Sequence, residues 1–147
     1  MKKFLKIAAI VLCLVFICGL IAINNIPISQ VIDLPSENEQ TEKIYVEIFT
    51  GENESSNSCV IEDAAVINEL ITPLSDVKLA YRGGYSGITY NSDENDIIVI
   101  LHIGDRENRL YIKENGEVYT KTSKYTSDSQ EITAVYNNAV EIVLAAN

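Results

Sequence analysis

A chain of 147 residues with 47% hydrophobic content is large enough for one hydrophobic core. Its formal net charge of −10 disfavours nucleic acid, because an acidic surface repels phosphates. Of its three cysteines, Cys13 and Cys18 fall in an N-terminal apolar run, which leaves Cys59 alone and excludes a disulfide within the domain.

Lys2, Lys3 and Lys6 precede an uncharged, mostly aliphatic run, Ile7 to Ile23, and no further charge appears until Asp33. A bilayer core about 30 Å thick takes roughly 20 apolar residues. The run is slightly short, with Phe4 and Leu5 extending it below and Ile26 and Ile28 above. Basic residues beside a membrane segment resist translocation, so the N-terminus is expected in the cytoplasm and the chain beyond about Asn25 outside it. Residues 1–28 are therefore expected to form a signal anchor, a single transmembrane helix in the cell membrane. A cleaved signal peptide has a shorter apolar core, of about 7–15 residues. Its best cleavage candidate here, Leu20-Ile21-Ala22, has a bulky residue where a small one is preferred. Lipidation at Cys18 would want small residues where Phe16 and Ile17 stand. Secreted and lipid-anchored forms are thus the alternatives, and all three export the domain. The 21 acidic residues then face only eight of the 11 basic ones, a formal charge of −13 outside the membrane. Such a domain is open to a basic partner or to divalent ions.

Residues 29–42 are polar, acidic and carry Pro35, and are expected to form an extended tether. The exported domain is expected at 43–147. Its first strand, Lys43 to Thr50, puts Ile44, Val46 and Ile48 on one face. After a polar loop, Gly51 to Ser58, a short strand Cys59-Val60-Ile61 should complete a hairpin. Asp63 is an expected N-cap for a helix bearing Ile67, Leu70, Ile71 and Leu74, which Pro73 should end or kink near Thr72. Val77 to Tyr81 is a further strand candidate, and Arg82 to Gly87, with three glycines, should be irregular. Ile97 to Ile103 is apolar on both faces and reads as a central strand. Arg109 to Lys113 and Glu117 to Tyr125 should pair across a type I′ turn at Asn115-Gly116. Ser127 and Asp128 are N-cap candidates, with Gln130 and Glu131 at capping-box spacing. The final helix carries a stripe of Ile132, Val135, Tyr136, Ala139, Val140, Val143 and Leu144. The expected fold class is α+β, an antiparallel sheet with two helices on one face in the order β-β-α-β-β-β-β-α, preceded by the transmembrane helix.

This succession resembles small membrane-anchored exported domains of unknown function from Gram-positive bacteria. The features that carry the likeness are the lysine-flanked anchor, the acidic linker, a hairpin, a helix near Asp63 to Leu74, the Asn115-Gly116 hairpin, and Lys124-Tyr125 leading into a helix over Ile132 to Leu144. The likeness implies an exported domain and assigns no functional residue.

Five groups bear on chemistry or recognition. His102, the only histidine, shares a strand face with Ile98 and Ile100; the expectation is a structural imidazole. A small exported hydrolase using His102 is the alternative, and would require a carboxylate or Cys59 beside it, although no nucleophile signature is present. Cys59 is expected as a small buried hydrophobe, against an intermolecular disulfide or a reactive thiol. Asn91 to Asp96 is dense in oxygen ligands, yet position six counted from Asp93 is Ile98 where an EF-hand needs glycine, so a solvated loop is expected. The best candidate surface is the glycine-rich stretch with Tyr81, Arg82, Tyr85 and Tyr90, a composition suited to binding hot spots. It matches neither a P-loop nor a dinucleotide fingerprint. Beside it stands a basic and aromatic cluster on one hairpin face: Arg109, Tyr111, Lys113, Tyr119 and Lys121. The overall expectation is a non-catalytic binding domain at the cell envelope, with no cofactor and no metal, facing an envelope protein.

Overall fold

The computed structural model describes residues 2–35, 43–50, 55–84, 97–103 and 108–147. Its elements are α1 (Lys2–Ile23), β1 (Ile26–Pro27), β2 (Ile44–Thr50), β3 (Ser55–Ile61), α2 (Ala64–Ile71), β4 (Lys78–Gly84), β5 (Ile97–Ile103), β6 (Arg109–Lys113), β7 (Glu117–Tyr119), β8 (Ser123–Thr126) and α3 (Gln130–Ala146). Short 3-10 turns cover Ile28–Gln30 and Thr72–Asp76. The fold is α+β; the described residues form three helices and one sheet of order β1-β4-β8-β7-β6-β5-β2-β3, whose pairings are all antiparallel.

Alternation builds the core. Ile44, Val46 and Ile48 of β2 line up with Val99, Leu101 and Ile103 of β5, and with Leu110 and Ile112 of β6. These side chains share one buried cluster with Ile67, Leu70 and Ile71 of α2 and with Ile132, Val135, Tyr136, Ala139 and Val143 of α3. Both later helices thus serve one sheet face. Asp63 caps α2 by accepting from the Ala65 and Val66 amides at 2.8 and 3.3 Å. Pro73 leaves α2 to tighten into the 3-10 turn at Thr72–Asp76.

Several expectations are corrected. Among the described residues the observed order has two more strands than expected, one at an edge of the sheet and one inside it. Ile26–Pro27 pairs with Leu79 and Lys78, and the single strand expected over Glu117 to Tyr125 is broken into β7 and β8. The backbone reverses at Thr120, whose amide bonds the Ser123 carbonyl at 3.0 Å. Ser55–Ser58, expected as loop, pairs residue by residue with the far half of β2. Arg82–Gly84, expected as irregular, continues β4 past a bulge at Arg82, between Tyr81 and Gly83, and the φ of +135° at Gly83 suits only glycine. The hairpin after β6 is not a two-residue type I′ turn. The Gly116 amide bonds the Lys113 carbonyl at 3.1 Å, which makes Glu114 and Asn115 the central residues and Gly116, at φ +79°, the left-handed third. Ser129, not Ser127 or Asp128, caps α3, accepting from the Ile132 amide at 3.3 Å. The Ser127 hydroxyl instead donates to the Lys78 carbonyl at 3.1 Å. Leu144, at the end of the expected stripe, is exposed although Val143 beside it is buried, because at about 100° per residue it lies off the face formed by Ile132, Val135, Tyr136, Ala139 and Val143.

The largest difference lies just after α1. Residues 26–28, expected to belong to the membrane helix, and the first residues of the expected tether, through residue 33, are folded into the domain instead. The Ile28 amide bonds the Val77 carbonyl at 3.0 Å, and Ile28 and Ile32 are buried in the core cluster. Farther along, the Asn108 side-chain amide donates to the Asp33 and Ile103 carbonyls at 2.6 and 2.9 Å, while its oxygen accepts from the Asp33 amide at 3.2 Å. Only Asn24 and Asn25 separate α1 from the sheet. Asn24 accepts from the Arg82 guanidinium at 3.2 Å, and the same guanidinium bonds the Thr126 hydroxyl at 2.9 Å. Every large apolar side chain of α1 from Ile7 to Ile23 is exposed. Among the described residues, no helix is long and apolar enough to cross a membrane.

Candidate interaction surface

The same alternation that buries Leu110, Ile112 and Val118 turns their neighbours to the opposite face of the sheet. There Arg109 stands beside His102, Tyr111 between Ile100 and Tyr119, and Lys113 beside Ile98. Arg109, Tyr111, Lys113 and Tyr119 are thus brought together as expected of one hairpin face. Lys121 lies exposed between β7 and β8. This second face is not uniformly open. Ile98, Ile100 and Tyr119 on it are only 5%, 6% and 8% exposed. The candidate tyrosines are split. Tyr81 points to the helix side, edge-on to Tyr125 with ring centroids 5.7 Å apart. Arg82 is engaged by Thr126 and Asn24. Tyr85 and Tyr90 lie outside the described residues, as does the acidic loop Asn91 to Asp96.

Two members of the second face carried no distinct signal in the sequence. Glu117 accepts from the Tyr119 hydroxyl at 2.6 Å and from the Lys124 ammonium, which also sits 5.3 Å from the Tyr119 ring centre. Period-two spacing places Glu117 and Tyr119 together, but Lys124 joins them only once the chain reverses at Thr120. Burial alone would push the Glu117 carboxyl up; the Lys124 and Tyr119 hydrogen bonds override it and hold the group below its ordinary range. The hydrogen bond to Glu117 raises Lys124, and burial, then Glu117, raises Tyr119.

The sign of the resulting pH dependence follows. A carboxylate with a lowered folded pKa stabilises above the ordinary glutamate range, and that stability disappears as pH falls through the folded value. Lys124 and Tyr119, both raised, stabilise below their ordinary ranges and lose that contribution as pH rises through their folded values. Glu117→Gln is therefore expected to cost about 1 kcal/mol at neutral pH, reduced from the buried case because the pair is partly in solvent. The variant's stability should also fall less than the wild type's toward both pH extremes. Urea melts at neutral, acidic and alkaline pH check this.

His102 meets Tyr45 edge-on, with ring centroids 5.0 Å apart, and its Nε2 lies 3.9 Å from Glu47 Oε2. That separation exceeds a hydrogen bond and becomes an ion pair only when the imidazole is protonated. Cys59 cannot join it. Cys59 stands opposite Val46 in the row of Leu101, on the helix side, whereas His102 is on the second face. Burial pushes the Cys59 thiol up, away from the reactive thiolate. Among the described residues, no group of three His, Cys, Asp or Glu side chains is placed to hold a metal ion.

No protein-family model, curated protein or solved structure matches this chain.

Proposed function

We propose that the chain is a single-pass membrane protein whose exported domain is seated directly on the outer membrane surface and acts as a non-catalytic binding domain for an envelope protein. The observation that carries this is the junction. An apolar helix whose large side chains from Ile7 to Ile23 are all exposed runs, after only Asn24 and Asn25, into a strand of the domain's own sheet. Ile7–Ile23 contains no charged or strongly polar residue on any side, so α1 has no face with which to lie flat at an interface. At roughly 1.5 Å per residue, Ile7–Ile23 rises about 25 Å, about a turn short of a bilayer core of about 30 Å. In sequence, Phe4 and Leu5 lengthen the apolar run, and local thinning of the bilayer makes up such a shortfall at fractions of a kcal/mol per ångström. The lysines at the start of α1 favour a cytoplasmic N-terminus.

Recognition falls to the second face, where Arg109, Tyr111, Lys113 and Tyr119 form a cationic and aromatic patch in an otherwise acidic domain. Tyr85, Tyr90 and Lys121 extend the candidate surface in sequence. A photoreactive residue at Tyr111, compared with one at Glu141 on the exposed side of α3, tests this in intact envelopes. A specific adduct from Tyr111 alone is expected. Adducts from neither position, or from both equally, would contradict the assignment of this face.

A further inference from the structure

Among the described residues, the sheet ends differently on its two sides. One end is β1, two residues long and containing Pro27, next to the membrane helix. Short length and proline are the devices that keep an edge from pairing with another chain. The other end is β3, seven residues long, Ser55–Ile61, with no charge, no proline and no break in its register against β2. It has none of those protections.

The direction of its free backbone groups follows from hydrogen bonds further in. The Ile103 amide bonds the Asn108 carbonyl, so Ile103 faces β6 and His102 faces β2. Tyr45, opposite His102, then faces β5, and Val46 faces β3, where it meets Cys59. Ser56, Ser58 and Val60 therefore turn their N–H and C=O groups away from the sheet. Their side chains lie on the second face, where Val60, at 55% exposure, adjoins Tyr45, at 38%. An incoming strand thus finds three residues' worth of backbone partners and an apolar pair for its own side chains.

Charge selects the occupant. In sequence, Glu52 and Glu54 precede the strand and Glu62 and Asp63 follow it. An antiparallel second copy would bring the acidic start of one strand against the acidic end of the other, and like charges facing across strands are destabilising. We propose that β3 is a strand-addition site for an extended partner segment, uncharged and β-branched in its middle and basic at both ends. This surface is distinct from the Tyr111 patch, and the two assignments fail independently.

The probe is a fluorescent synthetic peptide of alternating threonine and valine with two lysines at each end, titrated by anisotropy against the full chain in zwitterionic nanodiscs, with empty nanodiscs as blank. Saturable binding is expected, about tenfold weaker when the lysines become glutamates. Ser58→Pro removes an outward amide without touching the β2 ladder, and should abolish binding with little change in melting temperature. Val60→Lys, which leaves the backbone intact, should weaken binding as well and serves if Ser58→Pro does not fold. The proposal is overturned by equal binding of the glutamate peptide, by wild-type affinity in both variants, or by no saturable binding. Self-association without peptide that Ser58→Pro abolishes would also overturn it, in favour of a second copy.

Discussion

Ile28→Ala is expected to destabilise the domain by about 3 kcal/mol, the usual range for emptying a buried isoleucine site in a core. Were Ile28 the end of the membrane helix leading into a tether, as the sequence suggests, the same substitution would leave the domain's stability unchanged. Ile28 is fully buried, its amide is bonded to Val77, and its carbonyl accepts from the Val31 and Ile32 amides at 2.9 and 3.0 Å. Alanine leaves those backbone bonds in place, so the loss reports side-chain burial alone. Gln30, exposed one turn away, is the internal control: Gln30→Ala should stay within about 0.5 kcal/mol. Urea denaturation of the full chain in micelles, followed by tyrosine fluorescence, measures both. Equal, near-zero effects would mean the segment is not part of the core.

Gly116→Ala is expected to have the larger effect, about 4 kcal/mol or outright failure to fold. Two costs combine. At φ +79° any L-residue is strained, at roughly 1 kcal/mol or more. A Cβ at this position would also stand 2.2 Å from the Ser127 carbonyl oxygen. That oxygen is backbone and cannot swing aside, because Ser127 is held by its own amide to the Gly116 carbonyl at 2.9 Å and by its hydroxyl to Lys78. Gly116→Asn separates the two causes. Asparagine tolerates positive φ yet brings the same Cβ, so it should be nearly as damaging as alanine. Gly83 is the contrast: its φ is also positive, but a Cβ there would meet nothing within 4 Å. Gly83→Ala should cost only the backbone strain, about 1–3 kcal/mol. Thermal melts of the three variants rank these effects.

What was legible in the sequence is what repeats locally. The period of two in Ile97–Ile103 and Arg109–Lys113, the Asp63 cap and the stripe from Ile132 to Val143 all found their places, because each is set by a few residues and the face they bury. What was not legible depends on partners distant in sequence. Ile26–Ile32 is too short to show a period and reads as the fading end of the apolar run through Ile28 and as tether beyond it; only Leu79, Val77 and Asn108 reveal it as part of the fold. Ser55–Ser58 has the composition of a loop, since serine and asparagine are depleted in strands, and is held extended by the long β2 beside it. The break after Tyr119 falls at Thr120, Lys121 and Thr122, none of them a turn-forming residue. At the candidate surface, alternation correctly grouped Arg109, Tyr111, Lys113 and Tyr119. It could not reveal the Glu117–Lys124 pair that braces Tyr119, nor that Ile98 and Ile100 beside them are buried.

The proposed direct coupling of a membrane-spanning α1 to the domain is tested most directly by a spin-label scan from Ile7 to Asp33 in lipid nanodiscs, reading mobility together with access to oxygen and to a water-soluble nickel complex. Oxygen-favoured access through Ile23, an abrupt change at Asn24 and Asn25, and immobilised labels at Ile28 and Ile32 are the predicted result. Nickel access along Ile7–Ile23 would remove α1 from the membrane, and fast, unrestricted labels at Ile28 and Ile32 would restore the tether.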